Sequence, residues 1–116
     1  MLNMKYGDLT SKVIGSAIAV HNILGCGFQE LIYQRALEIE MRYAQIPFAR
    51  EFEMPIYYKN ENIGTRRVDF MVNGLISVKL KAIAILEDVH IVQAKNYLEV
   101  YNLEIGLLIN FGQPKD

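Results

Sequence analysis

The chain changes its hydrophobic period near residue 47. Before that point apolar residues recur at helical spacing. From Leu9 to Leu24 the helix carries Val13, Ile14, Ala17, Ile18 and Ile23 at that spacing. Asp8 or Thr10 caps its start, and Gly25-Cys26-Gly27 stops it. Gln29 to Ala44 is a second amphipathic helix. Leu31, Ile32, Ala36, Leu37, Ile39 and Met41 lie on or near one face, Glu38, Glu40 and Arg42 decorate the other, and Pro47 ends the segment. From Phe48 the period is two. Phe52, Met54, Ile56 and Tyr58 alternate with Glu51, Glu53 and Tyr57, the pattern of a half-buried strand. Pro55 assigns that strand to an edge or a bulge. Lys59-Asn60-Glu61-Asn62 turns the chain into a second strand, Ile63 to Val72. Asn73-Gly74 turns it into a third, Leu75 to Ile85. Asp88 caps a third helix from Val89 to about Tyr101, and Leu103 to Phe111 is a last strand whose apolar run predicts full burial. The order ααβββαβ predicts an α/β fold, a mixed four-stranded sheet flanked by helices. The last two strands run parallel through a right-handed crossover.

Composition narrows the class. At 116 residues the chain is expected to form a single domain, 1–116. A hydrophobic fraction of 52% against 22% charged residues excludes a disordered chain. Cys26 is the only cysteine, so no internal disulfide forms, and a reducing, cytoplasmic setting is expected. Residues Met1 to Asp8 lack the apolar core of a signal peptide, and no apolar run reaches the length of a membrane span, so no membrane partner is expected. The net charge of -1 removes the simplest signature of a nucleic-acid binder.

Candidate chemistry begins with the second and third strands. Asp69 stands mid-strand between Val68 and Phe70, out of place unless it faces a site or a strand end. In the third strand Ile76, Val78, Leu80 and Ala82 share one face, which leaves Ser77, Lys79 and Lys81 on the other. Such lysines belong either to a solvated edge strand or to a polar cleft with Asp69. Gln93 and Tyr97 share a face of the third helix, and Glu30 opens the second helix, where the macrodipole favours an acid. Tyr33 either braces Glu30 or packs. His21 and His90 read as packing or capping residues. No His or Cys pair has zinc spacing, nothing marks Cys26 as a nucleophile, and no Gly-rich loop cradles a phosphate.

These pieces together resemble a family. Gly27-x-x-Glu30-x-x-Tyr33 reproduces the signature of the GxxExxY proteins, small bacterial and archaeal members of the PD-(D/E)XK nuclease superfamily. Val13 to His21, Met54-Pro55-Ile56-Tyr57-Tyr58-Lys59, Val89-His90 through Gln93 to Asn96-Tyr97-Leu98, and Gly106 to Phe111 resemble its first helix, first strand, closing helix and closing strand. The likeness runs from Leu9 to Gly112. It implies a restriction-endonuclease-like core and metal-dependent attack on DNA or RNA phosphodiesters, with Mg²⁺ or Mn²⁺ as cofactor. By this resemblance Asp69 is a metal-binding aspartate, and Glu30 completes the metal site with the Leu80 carbonyl as a further ligand. Lys81 orients or activates the attacking water, and Gln93 and Tyr97 position substrate and lysine.

One position departs from that pattern. Two residues before the lysine the superfamily carries an acid, and this chain reads Lys79-Leu80-Lys81. A cation at the third ligand position opposes a divalent ion by ~4 kcal/mol per unit of metal charge at ~4 Å and an effective dielectric near 20. Lys79 is then expected to swing out, or to pair with Asp69 or Glu30 as an internal counter-ion. Two readings follow: a metal-dependent nuclease, or a catalytically silent relative that binds nucleic acid or a protein partner in the cleft. The apolar fraction also permits a homo-oligomer whose interface is its function. The charge distribution tempers the net value. From Lys59 to Lys81 five cations (Lys59, Arg66, Arg67, Lys79, Lys81) face two acids (Glu61, Asp69), a local +3.

Overall fold

A computed structural model describes residues 7–83 and 105–113. Two helices, α1 (Gly7–Leu24) and α2 (Glu30–Tyr43), precede strands β1 (Phe48–Tyr58), β2 (Glu61–Val72), β3 (Ile76–Lys81) and β4 (Ile105–Asn110). The strands form one sheet in the order β1-β2-β3-β4. β1/β2 and β2/β3 pair antiparallel, and β3 and β4 pair parallel, as the expected crossover requires. The architecture is the expected mixed α/β sheet. The predicted helix Val89–Tyr101, with Gln93 and Tyr97, lies outside the described residues.

The core joins the inner faces of α1 and α2 to the sheet. Val13, Ala17 and Val20 meet Tyr33, Leu37 and Met41, and both sets pack on Phe70, Val72, Ile76, Val78, Leu80 and Phe111. The buried stripes differ from the expected ones. α1 buries Thr10, Val13, Ser16, Ala17 and Val20, whereas Ile14, Ile18 and Ile23 are exposed. Ser16 enters the stripe without losing a hydrogen bond, because its hydroxyl donates to the Lys12 carbonyl at 2.9 Å. α2 buries Tyr33, Gln34, Leu37 and Met41, and Leu31, Ile32 and Ile39 stay exposed.

The strand boundaries also move. Lys59 and Asn60 both adopt left-handed φ, 48° and 68°, so a two-residue turn closes the first hairpin and β2 begins at Glu61. β1 is the edge strand that Pro55 indicated. Its burial is sparser than alternation predicts, with Met54 alone buried. The reason is the sheet's shape. β2 pairs with β1 almost throughout, but with β3 only over Phe70 to Val72, so the distal hairpin has no third strand beside it.

β3 ends at Lys81, short of Ile85. The Asn110 side chain takes over beyond it, accepting from the Ile83 and Gly112 N–H groups at 3.0 Å each and donating to the Ile83 carbonyl at 2.8 Å. β4 is half-buried along its length rather than fully buried.

Candidate functional site

Asp69 sits where β2 peels away from β3. The ladder stops at Phe70 opposite Val78, and the Asp69 side chain fills the opening. Its Oδ2 accepts the Leu80 N–H at 2.7 Å, standing in for a ladder carbonyl. Its Oδ1 accepts the Gln34 Nε2–H at 2.8 Å, which ties the split strands to α2. The ammonium of Lys79 lies 3.9 Å from Oδ2. The Asp69 side chain is only 12% exposed and that of Lys79 29%, so this pair is better shielded from water than a surface ion pair. Lys79 therefore pairs with Asp69 rather than swinging out.

Lys81, two residues along β3, is half-buried and forms no ion pair with any described residue. Glu30 is the first residue of α2 and is exposed. It precedes Gln34 by four residues, one helical turn and roughly 6 Å of rise, on the same face. The formal charges of Glu30, Asp69, Lys79 and Lys81 sum to zero. Among the described residues no three His, Cys, Asp or Glu side chains are grouped to hold a metal.

The loop before α2 shows why Gly27 and Tyr33 accompany Glu30. Gly25 and Gly27 take left-handed φ of 67° and 108°, conformations that L side chains rarely adopt. The buried Tyr33 hydroxyl donates to the Gly25 carbonyl at 2.5 Å and accepts the Phe28 N–H at 3.3 Å. Its ring stacks on Phe111, with centroids 4.6 Å apart. Tyr33 thus packs and braces the loop; its described hydroxyl bonds go to backbone, not to Glu30. Tyr33→Phe keeps the stacking and strands one carbonyl and one N–H. It should cost ~1–3 kcal/mol, readable as a lower urea midpoint at unchanged slope.

A family model described as the PD-(D/E)XK nuclease superfamily matches residues 7–116. The chain belongs to the PD-(D/E)XK nuclease superfamily. No curated protein and no solved structure matches it significantly.

For a superfamily member the described cleft suits a divalent cation poorly. Both Asp69 oxygens already accept hydrogen bonds, and an ammonium stands where a second anionic ligand would be needed. The donor set among the described residues does not fit Mg²⁺ or Mn²⁺. Gln34 has no counterpart among the expected site residues. Its signal was its spacing: with Leu37 and Met41 it lies at i, i+3 and i+7, a polar residue on the core stripe of α2. A groove of about 460 Å³ beside Phe52, Met54 and Met71 has no charged residue in its lining and offers no competing chemistry. No described helix is long and apolar enough to cross a membrane.

Proposed function

We propose that this PD-(D/E)XK domain binds DNA or RNA phosphodiesters in the cleft between α2 and the β2/β3 split, without metal-dependent hydrolysis. The Lys79–Asp69 pair carries this reading. It places a tethered cation on the carboxylate that a metal would use. Lys81, half-buried on β3 two residues beyond Lys79 and without a described acidic partner, then serves as the contact to a phosphate oxygen. Glu30 balances the cleft's charge rather than ligating metal. Gln93 and Tyr97 retain the substrate-positioning role that the resemblance implies.

The test is fluorescence anisotropy with single- and double-stranded DNA and RNA, in EDTA and in Mn²⁺. Binding is expected in EDTA, with affinity falling as salt rises, and no cleavage is expected in Mn²⁺. Lys81→Ala should weaken binding to every sequence alike and lower the slope of log K against log salt by about 1. Cleavage in Mn²⁺ abolished by Asp69→Ala would overturn the metal-free reading. Absence of binding to all four nucleic acids at low salt would overturn the nucleic-acid reading and favour a protein-interaction module.

A further inference from the structure

Gln34 uses only half of its amide. Its Nε2 must face Asp69, because a carboxylate oxygen can only accept. That orientation turns Oε1 away, into a buried position where it accepts no hydrogen bond from any described residue. The residue is only 6% exposed. Buried side-chain acceptors without a donor are uncommon, and an amide flip offers no remedy, since it would set oxygen against oxygen. A side chain that can move onto Oε1 is one source of the missing donor. Lys79 is such a group. Its ammonium is already beside Asp69, at 3.9 Å it is ion-paired but not hydrogen-bonded, and it carries three N–H donors.

We propose that Gln34 Oε1 and Asp69 Oδ2 form a primary-ammonium site, filled by the chain's own Lys79. One carboxylate oxygen and one neutral amide oxygen carry a single negative charge between them, which matches an ammonium and underserves a divalent ion. The inference rests on the reading of Lys79 as the cleft's resident cation and adds Gln34 as its second anchor.

Truncation opens the site to an external ligand. Lys79→Ala deletes Cγ to Nζ, the atoms of n-propylammonium. Propylammonium chloride should raise the thermal unfolding midpoint of Lys79→Ala in a concentration-dependent way, by binding the folded state alone. Tetramethylammonium chloride, of equal charge but without N–H donors, should not, and neither salt should shift the native chain. Equal responses to the two cations would overturn the site. Rescue that persists undiminished in Lys79→Ala/Gln34→Leu would overturn the role of Gln34.

Should that double variant not fold, NMR of the native chain and of Gln34→Leu decides the same point. The Lys79 ammonium protons are expected to exchange with water more slowly in the native chain than in Gln34→Leu, where Asp69 remains their partner. Equal rates would overturn the proposal. Metal-independent nucleic-acid binding by the native chain is measured separately, so failure of the ammonium site leaves that result standing.

Discussion

Lys79→Glu should convert the cleft from one that rejects divalent cations into one that binds Mn²⁺. In the native chain the Lys79 ammonium lies 3.9 Å from Asp69 Oδ2. At about 4 Å and an effective dielectric near 20, a unit charge opposes a dication by ~8 kcal/mol. Lys79 is 29% exposed, and solvent screening reduces that figure. Even a third of it, a little under 3 kcal/mol, is about a hundredfold in affinity. The substitution also reverses the sign, adding a second oxygen ligand beside Asp69. Calorimetry of the native chain should show no Mn²⁺ binding, whereas Lys79→Glu should bind more tightly than about 1 mM, a free energy beyond about -4 kcal/mol. Asp69→Ala on the Lys79→Glu background should abolish the signal. Mn²⁺ binding by the unmodified chain as tight as the variant's, and lost on Asp69→Ala, would overturn the role of Lys79 as the cation that excludes metal.

The second large effect is structural. A Cβ built on Gly112 would overlap the backbone N, C and O of Ile83. A backbone collision cannot be relieved by rotating a side chain. Ile83 cannot retreat freely either, because Asn110 holds both its N–H and its carbonyl and also accepts the Gly112 N–H. Gly112→Ala must therefore strain the contact or break the clamp. Overpacking costs ~1–3 kcal/mol, and each lost bond adds about 1 kcal/mol. Strain together with loss of the two Asn110–Ile83 bonds totals ~3–5 kcal/mol, a large share of a typical domain stability of ~5–15 kcal/mol. Urea unfolding should show that loss. Gly15→Ala supplies the control. A Cβ there meets nothing within 4 Å, and the position lies inside α1. It should stabilise by ~0.5–1 kcal/mol. A Gly112→Ala midpoint indistinguishable from the native one would show that the Ile83 contact is not constraining.

Much of the fold was legible because the period of the apolar residues reports local structure. The switch from helical spacing to alternation near Pro47 located two helices and the start of the sheet, and Asn73-Gly74 marked a turn. Asp69 was legible as a carboxylate out of place on an apolar strand. Lys79 and Lys81 were legible as neighbours on one face of β3. The buried side of each helix was less so. α1 offers two overlapping stripes, one with Ile14 and Ile18 and one with Thr10 and Ser16. Hydrophobicity favours the first, but the second faces the core. Contacts made by α2 and the sheet select it, and the Ser16 bond to Lys12 removes the polar penalty at Ser16, whereas the buried Thr10 hydroxyl has no described partner.

The sequence by itself determined the order of the described elements, the four-stranded α/β design and the charge conflict at Lys79. The first two depend on residue type and on spacings of a few positions, and the third on the superfamily pattern that the sequence resembles. Tertiary structure alone decided three matters. The β2/β3 split let Asp69 bond to Leu80 rather than face solvent. α2 laid Gln34 on Asp69 across 35 residues of chain. Gly112 came against Ile83, 29 positions earlier, closely enough to exclude a methyl group. These contacts join positions far apart in sequence, and their partners are set by how the layers pack. The pattern along the chain left Lys79 to swing out or to pair with Asp69 or Glu30, and the packing of the split sheet decided for Asp69.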